Sequence, residues 1–372
     1  MLRTAYHRVR RYMPAASVWL FLLAIVSAFL HLGFVVNTRF ADAFNEGPAA
    51  AVRAVFAHLT GWIPFSLAET LILAVPMLFV AALVVCIRNA GLSWRRAGYC
   101  ILSLVSVLAL LYSMFVWTFA AGYRASTLDR KLGIADEEVS AVQLATAAAI
   151  LADEMEYLMP EITFRHNNAS VMPYDYTELS RRLMTAYDVV CDGCPFLQRL
   201  DSRVKPVALS EPWTYTHISG VYTMFTGEAN INVNFPDYVI PYTAAHELAH
   251  QRGIARENEA NFVAFLVCLS SDDPYIRYSG CLNMYEYIMS ALYSASPEYY
   301  SMVQSSLDLR IRYEQYAYSV FFDRYRETVV SEVSEAVNNT YLVMQGTDGT
   351  KSYGMVVDLA VAYAASLNKA AD

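Results

Sequence analysis

Three long apolar runs dominate the first third of the chain and decide where it can fold. SVWLFLLAIVSAFLHLGFVV fills residues 17–36, a second run covers roughly 66–87 around LILAVPMLFVAALVVCI, and YCILSLVSVLALLYSMFVWTF fills 99–119. About 20 apolar residues carry a helix across the bilayer core, and each run reaches that length without a Lys, Arg or Asp. Glu69 falls at the edge of the second run, and Pro76 inside it is tolerable in lipid. The first run exceeds the apolar core of a cleaved signal peptide and no small-residue cleavage site closes it, so it reads as an anchor. Residues 1–122 are therefore expected to form three transmembrane helices, with the lipid bilayer as a partner.

Arginine placement sets the orientation. Arg3, Arg8, Arg10 and Arg11 precede the first run and Arg88, Arg95 and Arg96 separate the second from the third, whereas the loop 37–65 holds only Arg39 and Arg53. The positive-inside rule puts the N-terminus in the cytoplasm and, after three crossings, residues 123–372 outside. The first 122 residues carry a net charge of +6 and the rest −14. An acidic domain without a basic stripe is repelled by phosphate, which argues against a nucleic-acid partner.

Beyond the third run the texture is α+β. ADEEVSAVQLATAAAILADEMEYLM, from Asp136, has early acids and helical spacing, and DYTELSRRLMTAYDVV predicts a second helix after Asp175. VKPVALS, TYTHISGVYTMF and EANINVNF are short, β-branched or aromatic and punctuated by Pro and Gly, and predict three or four strands. After Pro241 the chain reads as helical, with breaks near Gly253, Pro274, Pro297 and the loop 345–354. Cys191 and Cys194 in CDGC suit a local disulfide or two free thiols. Cys268 and Cys281 flank the Pro274 turn, where a disulfide is an open alternative.

The chemistry-bearing segment is YTAAHELAHQRGIARENEANFVAF, residues 242–265, in which HELAH fits the HExxH pattern of zinc hydrolases. Four residues apart on a helix, His246 and His250 share a face and offer two imidazoles to one Zn²⁺, and Glu247 stands where it can take a proton from an activated water. A third ligand is expected from Glu257 or Glu259. Arg256 occupies the place of the third His of metzincins and cannot ligate zinc. Glu257, Ala260 and Asn261 instead resemble the ExxA(D/N) element of gluzincins. That resemblance implies Glu257 as the third metal ligand and Asn261 as the residue that holds the His246 tautomer.

A wider resemblance follows from AAGYRASTLDRKLGI, ISGVYTMFTGEANIN, HELAHQRGIARENEANFVAFLVC, DPYIRYSG and GTKSYGMVVDLAVAY. Together they are similar to an uncharacterised bacterial membrane family catalogued as a domain of unknown function, family thirty-eight ten, over the third apolar run to the C-terminus. The resemblance implies a membrane-anchored, zincin-like extracytoplasmic domain over residues 123–372, with a small sheet, an active-site helix and a helical C-terminal half. In such a fold EANINVNF (228–235) would be the sheet edge that pairs with an extended substrate, or else a plain sheet strand. Tyr353, His217, Tyr222 and Tyr285 are candidates for the donor that stabilises transition-state charge.

The expected function is a membrane-anchored zinc peptidase acting on proteins or peptides at the outer face of a bacterial cell membrane, with Glu247 as general base and His246, His250 and Glu257 as metal ligands. The alternatives are a catalytically silent zinc-stabilised sensor or scaffold and a metal-dependent amidase of cell-wall peptides.

Overall fold

The computed structural model describes residues 13–91, 93–134, 139–326, 328–345 and 356–361. Three helices are long and apolar enough to cross a membrane: Ala15–Val36 (α1), Leu67–Ala90 (α4), and Trp94–Phe115 (α5) prolonged by a π-turn to Ala120. Their mean hydropathies of 2.4, 2.8 and 2.2 are those of bilayer segments. α1 and α4 both pack on α5. Small polar side chains let α1 approach α5 closely: Ser106 Oγ donates to Ser17 Oγ over 2.9 Å, and Trp117 Nε1 to Ser27 Oγ over 3.2 Å. Ser66 and Ser93 start α4 and α5 by accepting the backbone N–H three residues on.

The segment between α1 and α4 is a loop by composition, yet it is helical. Thr38–Phe44 (α2) is capped by Asn37, and a π-turn over Asn45–Ala49 leads into Ala50–Gly61 (α3). Its helices rest on the globular part, where Arg53 and Lys205 are buried on carbonyls of both segments.

In the globular part Leu128–Leu132 (α6) precedes Ala141–Leu158 (α7), which a Ser140–Gln143 capping box opens; Asp136 lies outside the described residues. Asp175 caps Tyr176–Gly193 (α8), as its sequence predicts. The expected β-texture yields three short strands, Val204–Pro206 (β1), Gly220–Thr223 (β2) and Glu228–Ile231 (β3), with the short helix Ser210–Thr214 (α9) between the first two. β1 pairs parallel with β3 and β2 antiparallel with it, in the order β1-β3-β2. EANINVNF therefore is not the sheet edge: β3 is hydrogen-bonded on both sides, and the edges are β1 and β2, of which β2 lies against Glu247.

Val239–Gln251 (α10) crosses under this sheet with all 13 of its residues buried. Glu257–Leu269 (α11) folds back along it, and Pro274–Ala295 (α12) packs on both and on α7. Pro274 and Pro297 stand at the first helical positions of α12 and of Pro297–Ser306 (α13), where a missing N–H costs nothing. Leu309–Phe322 (α14) and Val329–Met344 (α15) follow, and residues 356–361, helical and mostly buried, close the described part. All six cysteines are free thiols. Cys268 lies against Gly280, leaving no room there for a Cβ, and Cys268 and Cys281 are not joined in a disulfide.

Candidate metal centre

The site begins with helical periodicity. His246 and His250 stand one turn apart on α10, their rings 4.6 Å between centroids and 88° between planes. His250 Nδ1 lies 2.7 Å from the carbonyl oxygen of Ile254, a contact that holds a proton on Nδ1 and turns Nε2 inward as the nitrogen that can ligate once its own proton is lost. Gly253 makes this contact possible. At φ 94° it turns the chain back after α10 in a conformation that L side chains rarely adopt.

The returning chain enters α11 at Glu257, and Glu257 Oε2 stands 3.2 Å from His246 Nε2 and 3.5 Å from His250 Nε2. The three ligand atoms lie within 4.8 Å of one another. A tetrahedral zinc with bonds of about 2.05 Å separates its ligand atoms by about 3.3 Å, so both carboxylate distances fit it. Two imidazoles and one carboxylate also suit zinc better than the all-oxygen preference of calcium or magnesium. Glu259, the competing candidate, is turned away: Oε1 accepts from Arg256 Nη1 at 2.9 Å and from the Leu128 N–H at 3.1 Å.

Electrostatics bind the three groups as a unit. Burial lowers the pKa of His250, but the Glu257 carboxylate outweighs it and pushes the imidazole up to about 9. Burial raises that of Glu257, and the two imidazoles overcome it, holding the carboxyl well below its usual range. Glu247 behaves differently. It is buried, burial raises its pKa, and its Oε2 has no hydrogen-bond partner. Gly220 of β2 lies directly over it, since a Cβ there would come within 2.7 Å of Glu247 Cγ and Oε1. The backbone N–H of Tyr222, two residues on, faces the Glu247 carboxylate.

The site abuts the apolar helices. The Phe119 ring, in the last turn of the third one, meets His250 edge-on at 5.9 Å and Tyr222 at 5.5 Å. Arg53 Nη1 donates to Asn45 Oδ1 and to the Thr118 carbonyl, both over 2.9 Å, while Nη2 donates to the carbonyls of Asn45 (2.8 Å) and Arg252 (3.4 Å). Asn45 and Arg53 thus join the inter-span helices, the end of the third apolar helix and the turn that follows His250.

A family model described as "Protein of unknown function (DUF3810)" matches residues 45–361. The chain belongs to this family. No curated protein and no solved structure matches it. The DUF3810 match begins at Asn45, earlier than the third apolar run from which the sequence resemblance was drawn. It takes in Asn45, Arg53 and all of His246, Glu247, His250 and Glu257, and leaves α1 outside.

Other expected residues of this DUF3810 chain stand elsewhere. Asn261 is not hydrogen-bonded to His246: its carbonyl accepts from Tyr242 Oη at 3.0 Å, its side chain faces Tyr287, and His246 Nδ1 is buried without a partner. His217 is held by the Tyr325 carbonyl at 2.6 Å and Tyr285 points to Gln304. Tyr222 sits at the site through its backbone, and Tyr353 lies outside the described residues. Two tyrosines that sequence reasoning missed flank Glu257: Tyr287 on α12 and Tyr341 on α15, each pushed up to about 12, first by burial and then by that carboxylate. Among 27 tyrosines nothing in their local sequence marks them out.

Proposed function

We propose that the protein is a membrane-anchored, zincin-like zinc peptidase whose globular part lies outside the cytoplasm. The observation that carries this reading is the convergence of His246 Nε2, His250 Nε2 and Glu257 Oε2 on one point beside a buried carboxylate, Glu247, that keeps an oxygen unpaired. A purely structural zinc site usually closes its fourth position with Cys or His and has no use for such an acid.

His246, His250 and Glu257 would hold the ion, which supplies Lewis acidity for activating water and polarising the scissile carbonyl. Glu247 takes the water's proton and passes it to the leaving amine, a task its raised pKa suits. Tyr222 N–H orients the carboxylate, and the missing side chain at Gly220 leaves the space that Glu247 Cγ and Oε1 occupy.

Substrate pairing is assigned to β2. The Asn232 N–H donates to the Ser219 carbonyl, so Val221 and Thr223 also bond to β3, and the amide groups of Gly220 and Tyr222 point away from it. The outer side of β2 offers the carbonyl groups of Gly220 and Tyr222 and the N–H of Gly220 to an extended peptide, while the Tyr222 N–H is taken by the Glu247 carboxylate. Comparing the N-termini of membrane and secreted proteins from cells making the parent or Glu247→Gln tests this reading. New termini should appear with the parent alone.

A silent sensor or scaffold is the rival, favoured by the direct hydrogen bonds from Asn45 and Arg53 to the turn after His250. Under that reading Glu247→Gln leaves the termini unchanged and complements a deletion as well as the parent does.

A further inference from the structure

The globular part meets the apolar helices with no spacer, at both the metal triad and the substrate edge. His250 and Tyr222 share the ring of Phe119, which lies inside the 27-residue apolar run Trp94–Ala120. Gly122, just beyond that run, is pressed on the turn after His250: an added Cβ would stand 2.8 Å from the Gly253 carbonyl oxygen and 2.9 Å from Ala255 Cβ. On the other flank Glu228, the first residue of β3, accepts from the N–H groups of Leu67 and Ala68 at 3.1 and 2.8 Å, and these two residues begin α4. Ser66 Oγ donates to Asn230 of the same strand over 2.7 Å.

Length places this junction against the lipid. A helix of 27 residues at 1.5 Å per residue is about 40 Å long, whereas the hydrocarbon core is about 30 Å thick. Arg95 and Arg96 hold the start of the run at the opposite interface, so Phe119, about 35 Å beyond Arg96, reaches headgroup depth. Leu59, Trp62 and Phe65, just ahead of α4, are exposed apolar side chains at the same end of the helices, and Trp favours the membrane interface. One aromatic ring thus separates the third apolar helix from both the metal ligand His250 and the pairing strand β2.

We infer that the substrate is the juxtamembrane segment of another bilayer-anchored polypeptide, bound in extended form at headgroup level. This rests on the peptidase reading above and adds the class of chain that reaches the site. The bilayer obstructs a bulky soluble protein from this level, while an anchored chain is confined to it at a high effective concentration. At about 3.3 Å per residue, a strand laid along β2 brings the scissile bond within roughly ten residues of the substrate's own span.

The test uses the full chain in two steps. Glu247-dependent new termini are mapped against the outer ends of the apolar spans of the cleaved proteins. One cleaved sequence is then presented to the protein in phosphatidylcholine vesicles, either on a transmembrane anchor or as a free peptide. Cleavage sites within about ten residues of a span and at least about tenfold faster hydrolysis of the anchored form are expected. Sites scattered over soluble ectodomains, or equal rates for the two forms, overturn this inference and leave the peptidase reading standing. No Glu247-dependent termini at all overturns the peptidase reading and the inference with it.

Discussion

The side-chain amide of Asn45 donates to the carbonyl oxygen of Gly253 over 3.0 Å, joining positions 208 residues apart. Arg53 completes that junction. Its guanidinium is buried, burial lowers its pKa to about 10, and the acceptors named above are neutral carbonyl groups. Arg53→Ala strands buried carbonyls at about 1–3 kcal/mol for each group left unpaired. The expected result is a loss of about 3 kcal/mol of stability in detergent, read by thermal unfolding, together with weaker zinc binding because the turn that holds Ile254 against His250 loosens.

Gly220→Ala separates catalysis from folding. Its new Cβ would stand 2.7 Å from Glu247 Cγ and Oε1 and equally close to Thr243 Cγ2, but against none of His246, His250 and Glu257. Zinc content should be unchanged, while turnover falls by about 100-fold, the usual penalty for a displacement of about 1 Å at a reacting group. Parallel metal analysis and hydrolysis rates check this.

Glu257 and Glu259 are expected to part company. Glu257→Gln removes a carboxylate that both imidazoles face, so zinc affinity should fall at least tenfold. Glu259→Gln weakens the contacts to Arg256 and Leu128, so stability falls with zinc content intact. Zinc titration of both variants beside unfolding curves decides it, and the reverse pattern would make Glu259 the ligand.

The pH dependence has a definite sign. His250 in the metal-free protein is raised from the ordinary value of 6.5 to about 9 by Glu257, after burial has opposed it. Its ion pair therefore stabilises the metal-free fold fully below pH 6.5, and that contribution is lost as pH rises through 9. Zinc must displace the same proton, so affinity should climb by about tenfold per pH unit below 9. Isothermal titration at several pH values would show this slope. An affinity flat from pH 6 to 8 would contradict it.

The helical content and the shared face of His246 and His250 were legible because they depend on local spacing, whereas only the gluzincin resemblance favoured Glu257 over Glu259. His246 and His250 share a face by a four-residue interval, Asp175 sits at a helix start, and the three apolar runs became helices with nearly the expected ends, whereas the helix expected from Asp136 begins only at Ala141, behind Ser140. What the sequence hid was long-range. EANINVNF reads as a strand but says nothing about being flanked on both sides, and the pairing that makes β2 the free edge joins segments whose alternation is too short to show a register. Arg53 looks like one of two basic residues in an inter-span loop, and only the packing of α3 against the turn after His250 gives it a role. Tyr287 and Tyr341 reach Glu257 from α12 and α15 through tertiary contacts that no motif encodes.

Zinc per full-length chain, measured in the parent, Glu247→Gln and His246→Ala alongside hydrolysis of one cleaved substrate, bears most directly on the role of the triad. One zinc is expected in the parent and in Glu247→Gln, with turnover in Glu247→Gln reduced by at least about 100-fold and His246→Ala losing metal and activity together. Full activity in a zinc-replete Glu247→Gln chain, or a parent that binds no zinc, would contradict it.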